Sequence, residues 1–131
     1  MDLVQTVRDF MSALENRGNS SDFSKFYHPE VVQIEYPNTL TKDTTTRMLK
    51  DLEAAALRGK QVLEKERFDI VNSYSAGNTV IIEAIYTGTL AIKAGKLKPG
   101  DEMKAYFAQF YEFKDGKIFR QRNYDCFEPF V

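Results

Sequence analysis

Residues 102–125 leave few folds open to this chain. Glu102 to Phe113 and Lys117 to Asp125 are two long runs rich in aromatic and aliphatic residues, with Asp115-Gly116 between them. An Asp-Gly pair in that position predicts a two-residue hairpin, because both central residues of such a turn need positive φ. Strands this long must bury a face against something. The second run ends Tyr124-Asp125-Cys126-Phe127, with Phe130 close behind, so its one carboxylate sits among rings that could desolvate it.

The rest of the chain supplies the cover. Val4, Val7, Phe10, Met11 and Leu14 form the apolar stripe of a first helix, stopped by Gly18-Asn19-Ser20-Ser21. Ser21 or Asp22 can cap a short second helix carrying Phe23, Phe26 and Tyr27, which Pro29 closes. Val31 to Tyr36 reads as a strand ended by Pro37-Asn38. Thr44, Thr45 and Thr46 offer alternative caps for a third helix, with Met48, Leu49, Leu52, Ala55, Ala56 and Leu57 on its apolar face and Gly59 at its end. Arg67 to Tyr74 then leads through Ala76-Gly77-Asn78 into Thr79 to Leu90, and the two terminal runs complete an antiparallel meander. Helices first and hairpin-linked strands after predict α+β, a curved mixed or antiparallel sheet wrapped around N-terminal helices. A sheet curved in that way leaves a conical cavity.

At 131 residues the expectation is a single domain, 1–131. Ten Phe and seven Tyr suffice to line an apolar pocket. A formal net charge of -1 gives no general attraction for nucleic acid or an anionic membrane. No run of about 18 apolar residues suggests a span, and no basic-then-apolar start suggests a secretory signal. One Cys and one His provide neither a disulfide nor a zinc constellation, and the expected location is cytoplasmic. No phosphate-binding glycine motif or nucleophile elbow occurs, so no cofactor and no metal is expected.

The order of elements resembles the nuclear transport factor 2-like superfamily, which includes ketosteroid isomerases, limonene epoxide hydrolases and SnoaL-like polyketide cyclases. The resemblance runs through Phe26-Tyr27-His28-Pro29-Glu30-Val31-Val32, Glu35-Tyr36-Pro37, Phe113-Lys114-Asp115-Gly116-Lys117-Ile118 and Arg122-Asn123-Tyr124-Asp125. It implies a cone-shaped α+β fold. The isomerase residues do not carry over: Tyr36 stands at the base position, Phe10 at the first-helix Tyr position and Gln109 at the oxyanion Asp position. A phenol there would scarcely ionise at neutral pH. The epoxide hydrolase Arg-x-Asp corresponds to Ala84 and Tyr86, so that reaction is not implied either. SnoaL-like cyclases match better, through one acid-base Asp late in the chain, here Asp125.

The resemblance implies an isomerase or cyclase without cofactor, acting on a small hydrophobic carbonyl compound; the alternative is a non-catalytic module that binds a small molecule in the same pocket. Alternation puts Phe107, Gln109, Tyr111 and Phe113 on one face of their strand, and Phe119, Gln121, Asn123 and Asp125 on one face of the next. By resemblance the Gln109 face lines the cone, with a bulge near Asp125 able to reverse the phase. The candidate catalytic residues are Asp125 and His28. The candidate ligand-binding residues are Tyr36, Phe107, Gln109, Tyr111, Gln121 and Asn123. Asp125 could instead cap the tail or pair with Arg120 or Arg122, and His28 could satisfy backbone carbonyls. The convex face, with Tyr106, Phe110 and Tyr124, would form a homodimer. The loop from Ala94 to Gly100 could serve as a lid.

Overall fold

The computed structural model describes residues 2–16 and 23–131. Two helices, α1 (Leu3–Glu15) and α2 (Leu49–Val62), pack against one sheet of six strands. The strands are β1 (Tyr27–Glu35), β2 (Thr45–Arg47), β3 (Leu63–Ala76), β4 (Thr79–Leu90), β5 (Glu102–Lys114) and β6 (Lys117–Phe127). Their order is β2-β1-β6-β5-β4-β3. Strands β3 to β6 form the antiparallel meander, and β1 joins it parallel to β6, so the sheet is mixed and open. This is the α+β arrangement expected of the sequence. No described helix is long and apolar enough to cross a membrane.

The hairpin at Asp115-Gly116 has φ of 54 and 73, the positive pair that its two-residue turn demands. Helix α1 starts with the Asp2 carboxylate accepting the Gln5 N–H at 3.1 Å, and it buries Val7, Phe10 and Met11. Phe10 is the hub of the core. Its ring meets those of Phe23, Phe26, Tyr27 and Tyr111 edge-on, at centroid distances of 5.3 to 6.3 Å.

Three local readings are corrected. No second helix forms at Phe23 to Tyr27. A single turn stands there, with the Phe26 and Tyr27 N–H groups donating to the Phe23 carbonyl, and Tyr27 already begins β1. Pro29 keeps the residue before it out of the α region, which leaves too few residues to nucleate a helix. The proposed stop at Gly18 to Ser21 and cap at Ser21 or Asp22 lie outside the described residues.

The Thr44 to Thr46 run does not cap a helix. Thr45–Arg47 pairs with β1 as strand β2, the conformation β-branched residues favour. Helix α2 begins after Met48 instead, where the Asp51 carboxylate accepts the Met48 N–H at 2.9 Å. It also runs past Gly59 to Val62. Leu63 closes it in extended conformation and leads directly into β3, so no left-handed glycine cap is needed.

The connection between β4 and β5 is tied to the C-terminal tail. Lys96 N–H donates to the Phe130 carbonyl at 2.6 Å, and Phe130 is buried against Phe127. Gly95 has φ +56, and a Cβ there would overlap that carbonyl oxygen. The segment borders the cavity through Ala94 and is held to the tail by the Lys96 hydrogen bond.

Candidate functional site

Cross-strand register arranges the inner face of the sheet in rows. Gln33, Gln121, Tyr111 and Val80 form one row; Glu35, Asn123, Gln109 and Ile82 form the next. Asp125, Phe107, Ala84 and Ile70 follow, then Phe127, Ala105, Tyr86 and Phe68. Polar side chains therefore gather where β1, β6 and β5 meet, and rings gather towards the ends of β6, β5 and β4. Between this face and the helices lies a cavity of about 480 Å³, with Phe10, Met11 and Leu14 of α1 and Leu52, Ala56 and Val62 of α2 along its other wall. That volume suits a small organic ligand.

Asp125 lines this cavity and is 9% exposed. Gln109 Nε2 donates to its Oδ1 at 3.2 Å. The Tyr111 hydroxyl donates in turn to Gln109 Oε1, fixing which way the amide faces. Burial pushes the Asp125 carboxyl from 3.8 up to about 7; the Gln109 hydrogen bond draws it down, and the negative charge of Glu35 adds to the rise. A carboxyl so poised exchanges protons readily near neutrality. Tyr111 is raised well above 10.0, by burial first and then by Tyr27 and Asp125, so it stays a neutral donor.

Beside this chain lies a second polar group. Gln121 Nε2 donates to Asn123 Oδ1 at 2.9 Å, while Gln121 Oε1 is buried with no hydrogen-bond partner among the described residues. Arg47 reaches in from β2, and its Nη1 donates to Glu35 Oε1 at 2.6 Å and to Gln33 Oε1 at 3.2 Å. At the apolar end, Tyr86 stacks on Phe107 with centroids 4.8 Å apart and donates its hydroxyl to Glu66 Oε2 at 2.8 Å.

Of the sequence-derived candidates, the structure brings Phe107, Gln109, Tyr111, Gln121, Asn123 and Asp125 together around the cavity. Tyr36 and His28 are not there. Strand alternation points Gln33 and Glu35 inward and Tyr36 outward, where its ring stacks on Tyr124 at 4.7 Å. His28 sits near the β5–β6 turn; Nδ1 accepts the Glu30 N–H at 3.0 Å, and Nε2 is 3.8 Å from Asp115 Oδ2. Tyr27 is opposite Ile118, and seven residues of β6 separate that level from Asp125, roughly 20 Å. His28 cannot share a small ligand with Asp125.

Phe119 is also displaced. The bulge lies at Phe119 itself, where the register steps from Glu112↔Arg120 to Phe113↔Ile118, rather than near Asp125. Ile118 is therefore buried, and Phe119 turns outward to lie under Arg120 and Lys114. Polar residues of the cavity that were not among the sequence candidates include Gln33, Glu35, Arg47, Arg58, Glu66 and Tyr86. Counting in twos from buried Val31 identifies Gln33 and Glu35; Arg47 carries no comparable signal once its neighbours are read as helix caps.

The sequence matches the family model of the SnoaL-like domain over residues 7–121. None of the curated proteins compared with it matches in sequence. Similar solved structures include IdmH of Streptomyces antibioticus, a candidate polyketide cyclase, at 14% identity and TM-score 0.75, with 95% of this chain and 92% of that one covered. AclR of Streptomyces galilaeus, a candidate hydroxylase, gives 14% identity and TM-score 0.78 over 98% of this chain and 81% of that one. An LEH-like epoxide hydrolase of M. tuberculosis gives 18% identity and TM-score 0.68, over 96% and 82% respectively. These names denote different reactions, so what the likeness conveys at such identity is the fold.

Proposed function

Since this chain belongs to the SnoaL-like domain family and has the α+β fold of the nuclear transport factor 2-like superfamily, we propose that it is a cofactor-free isomerase or cyclase acting on a small hydrophobic carbonyl compound, with Asp125 as its acid-base group. One observation carries this reading: a carboxyl buried in an apolar cavity, held by Gln109 and raised to about 7. As carboxylate it removes a proton from carbon next to a carbonyl; as acid it returns the proton elsewhere on the same molecule. Gln109 and Tyr111 fix its direction, and the stacked rings of Tyr86 and Phe107 hold the apolar body of the substrate.

The test is solvent deuterium exchange at the activated carbon of 1-phenylbutane-1,3-dione, followed by NMR. The wild type is expected to accelerate exchange, with a rate that rises through about pH 7 and then levels as Asp125 ionises. An Asp125→Asn variant that exchanges as fast as the wild type rejects the assignment. Tight binding without any exchange favours the module that only sequesters its ligand.

We place a homodimer contact on the outer face, where Tyr106 and Tyr124 are 45% and 42% exposed and Phe110 packs edge-on to Tyr124. Arg122 lies over Phe110 and pairs with Glu112, which orders the patch. Sedimentation equilibrium should report twice the chain mass for the wild type, and the monomer mass for Tyr124→Glu. A monomeric wild type removes the proposal.

A further inference from the structure

Of the charged side chains that line the cavity, Arg47 has no part in the acid-base reading although it stands among the polar groups nearest Asp125. Arg47 stands at the polar end, its side chain 19% exposed, and only Nη1 is engaged, by Gln33 Oε1 and Glu35 Oε1. Nε and Nη2 donate to no described residue. The guanidinium cannot drift, because Glu35 is itself held from the far side by Asn38 Nδ2, 2.7 Å from Glu35 Oε2. A planar donor fixed at one nitrogen and open at the others is prepared to receive an oxygen.

Its position suits the reaction. Glu35 pairs with Asn123, and Asp125 is two residues farther along β6 on the same face. The backbone positions of Glu35 and Asp125 are thus roughly 8 Å apart on the diagonal, with their side chains converging on one corner. Consistent with this, the charge of Glu35 is felt at Asp125. A small carbonyl compound with its activated carbon at Asp125 extends its oxygen towards Arg47.

Resting on that acid-base reading, we propose that Arg47 is the oxyanion-binding group of this cavity, receiving on its unshared N–H groups the enolate oxygen that forms as Asp125 takes a proton. The C–H bond breaks, its proton passes to the Asp125 carboxylate, and its electron pair moves through the carbon to the carbonyl oxygen. Arg47 donates hydrogen bonds and keeps its protons. In an extended dienolate the electron pair then returns from the oxygen through the conjugated double bond, and the remote carbon takes the proton back from Asp125. Alternatively, the enolate carbon attacks a second carbonyl of the same molecule, whose oxygen Asp125 protonates.

Glu35 decides the class of substrate. It cancels the charge of Arg47 in the resting site, so a ligand that arrives as a carboxylate meets no net attraction and faces Glu35 at close range. An oxygen that is neutral on arrival and gains charge only during reaction meets donors already in place. The site therefore selects neutral carbonyl compounds with an acidic C–H over carboxylic acids.

The experiment uses two probes, neutral 1-phenylbutane-1,3-dione and the anion 3-oxo-3-phenylpropanoate. In the Asp125→Asn protein, ultraviolet difference spectra at pH 8 report the bound dione as enolate. Adding Arg47→Met to that protein is expected to reduce the enolate fraction at least tenfold. In otherwise wild-type protein, Arg47→Met should slow exchange about a hundredfold with little change in KM, and Arg47→Lys should recover part of the loss. The double variant Glu35→Gln/Arg47→Met, which strands no charge, should fold and show the same loss of enolate. The neutral probe should bind at least tenfold more tightly than the anion. Equal enolate with and without Arg47, tighter binding of the anion, or no binding of the dione each overturns the proposal. Should Asp125→Asn exchange at the full rate while Arg47 still stabilises enolate, the acid-base reading fails and this one stands.

Discussion

Asp125→Asn is expected to make the protein more stable above neutral pH while lowering the proposed exchange activity at least about a hundredfold. In the fold the carboxyl titrates near 7; in the unfolded chain it returns to about 3.8. Below about pH 4 both states are protonated and burial of Asp125 carries no charge penalty. Between that pH and 7 the unfolded state ionises and the folded state does not, so stability falls as pH rises. Above 7 both are ionised and the penalty is complete. A shift of about three units corresponds to an upper limit of about 4 kcal/mol. Water entering the cavity reduces it, so a gain of about 2–4 kcal/mol is expected for the variant at pH 8. Asn keeps an oxygen for the Gln109 amide and has nothing to ionise. Urea unfolding of both proteins at pH 4 and pH 8 isolates the effect, because every other titrating group cancels in the difference. Equal differences at the two pH values would exclude a raised carboxyl.

The second large effect is in the core. Phe10→Ala removes the ring around which Phe23, Phe26, Tyr27 and Tyr111 are arranged. Such truncations cost about 3–5 kcal/mol. Phe10 also borders the cavity, so the space it vacates joins one that already exists instead of forming a sealed void. That places the expected loss near the lower limit, about 3 kcal/mol, or on the order of 10 °C in Tm. Thermal unfolding measures it, and Phe10→Leu should restore more than half. A loss below about 1 kcal/mol would mean that the aromatic cluster is not the centre of the core. Tyr111, which donates to Gln109, leans on the same ring, so the proposed exchange activity should fall along with stability.

The meander was legible from its long strand runs and turn residues, but alternation left two apolar faces, since Ile81, Ile85, Tyr106, Phe110 and Tyr124 oppose Val80, Ile82, Phe107, Tyr111 and Phe113. The inner face followed from the resemblance, and burial in β4, β5 and β6 agrees with it. What escaped reading was decided by partners distant in sequence. Ile118 and Phe119 are both apolar, so only the register against β5 shows which is inside. Thr44 to Thr46 suit a helix cap or an edge strand equally, and pairing with β1 chooses the strand. That choice delivers Arg47 to the cavity. Tyr36 drew attention through its place before Pro37, whereas the strand period assigns the inner position to Glu35. His28 showed only that a lone histidine near an aromatic run can stand far from the cavity.

Strand β3 is the long outer margin of the sheet, and its construction bears on how the protein behaves in a crowd. Fourteen residues of unpaired edge would ordinarily invite a neighbouring chain to add a strand. Here the ladder slips at Glu64 and again at Val71, so no straight template of that length exists. Lys65, Arg67 and Asp69 set charge along the stretch between the slips, and the Phe68 N–H is already taken by the Glu15 carboxylate at 2.6 Å. A fold that keeps a cavity inside has thereby kept its rim unattractive to its own kind, and concentrated solutions should stay clear of fibres.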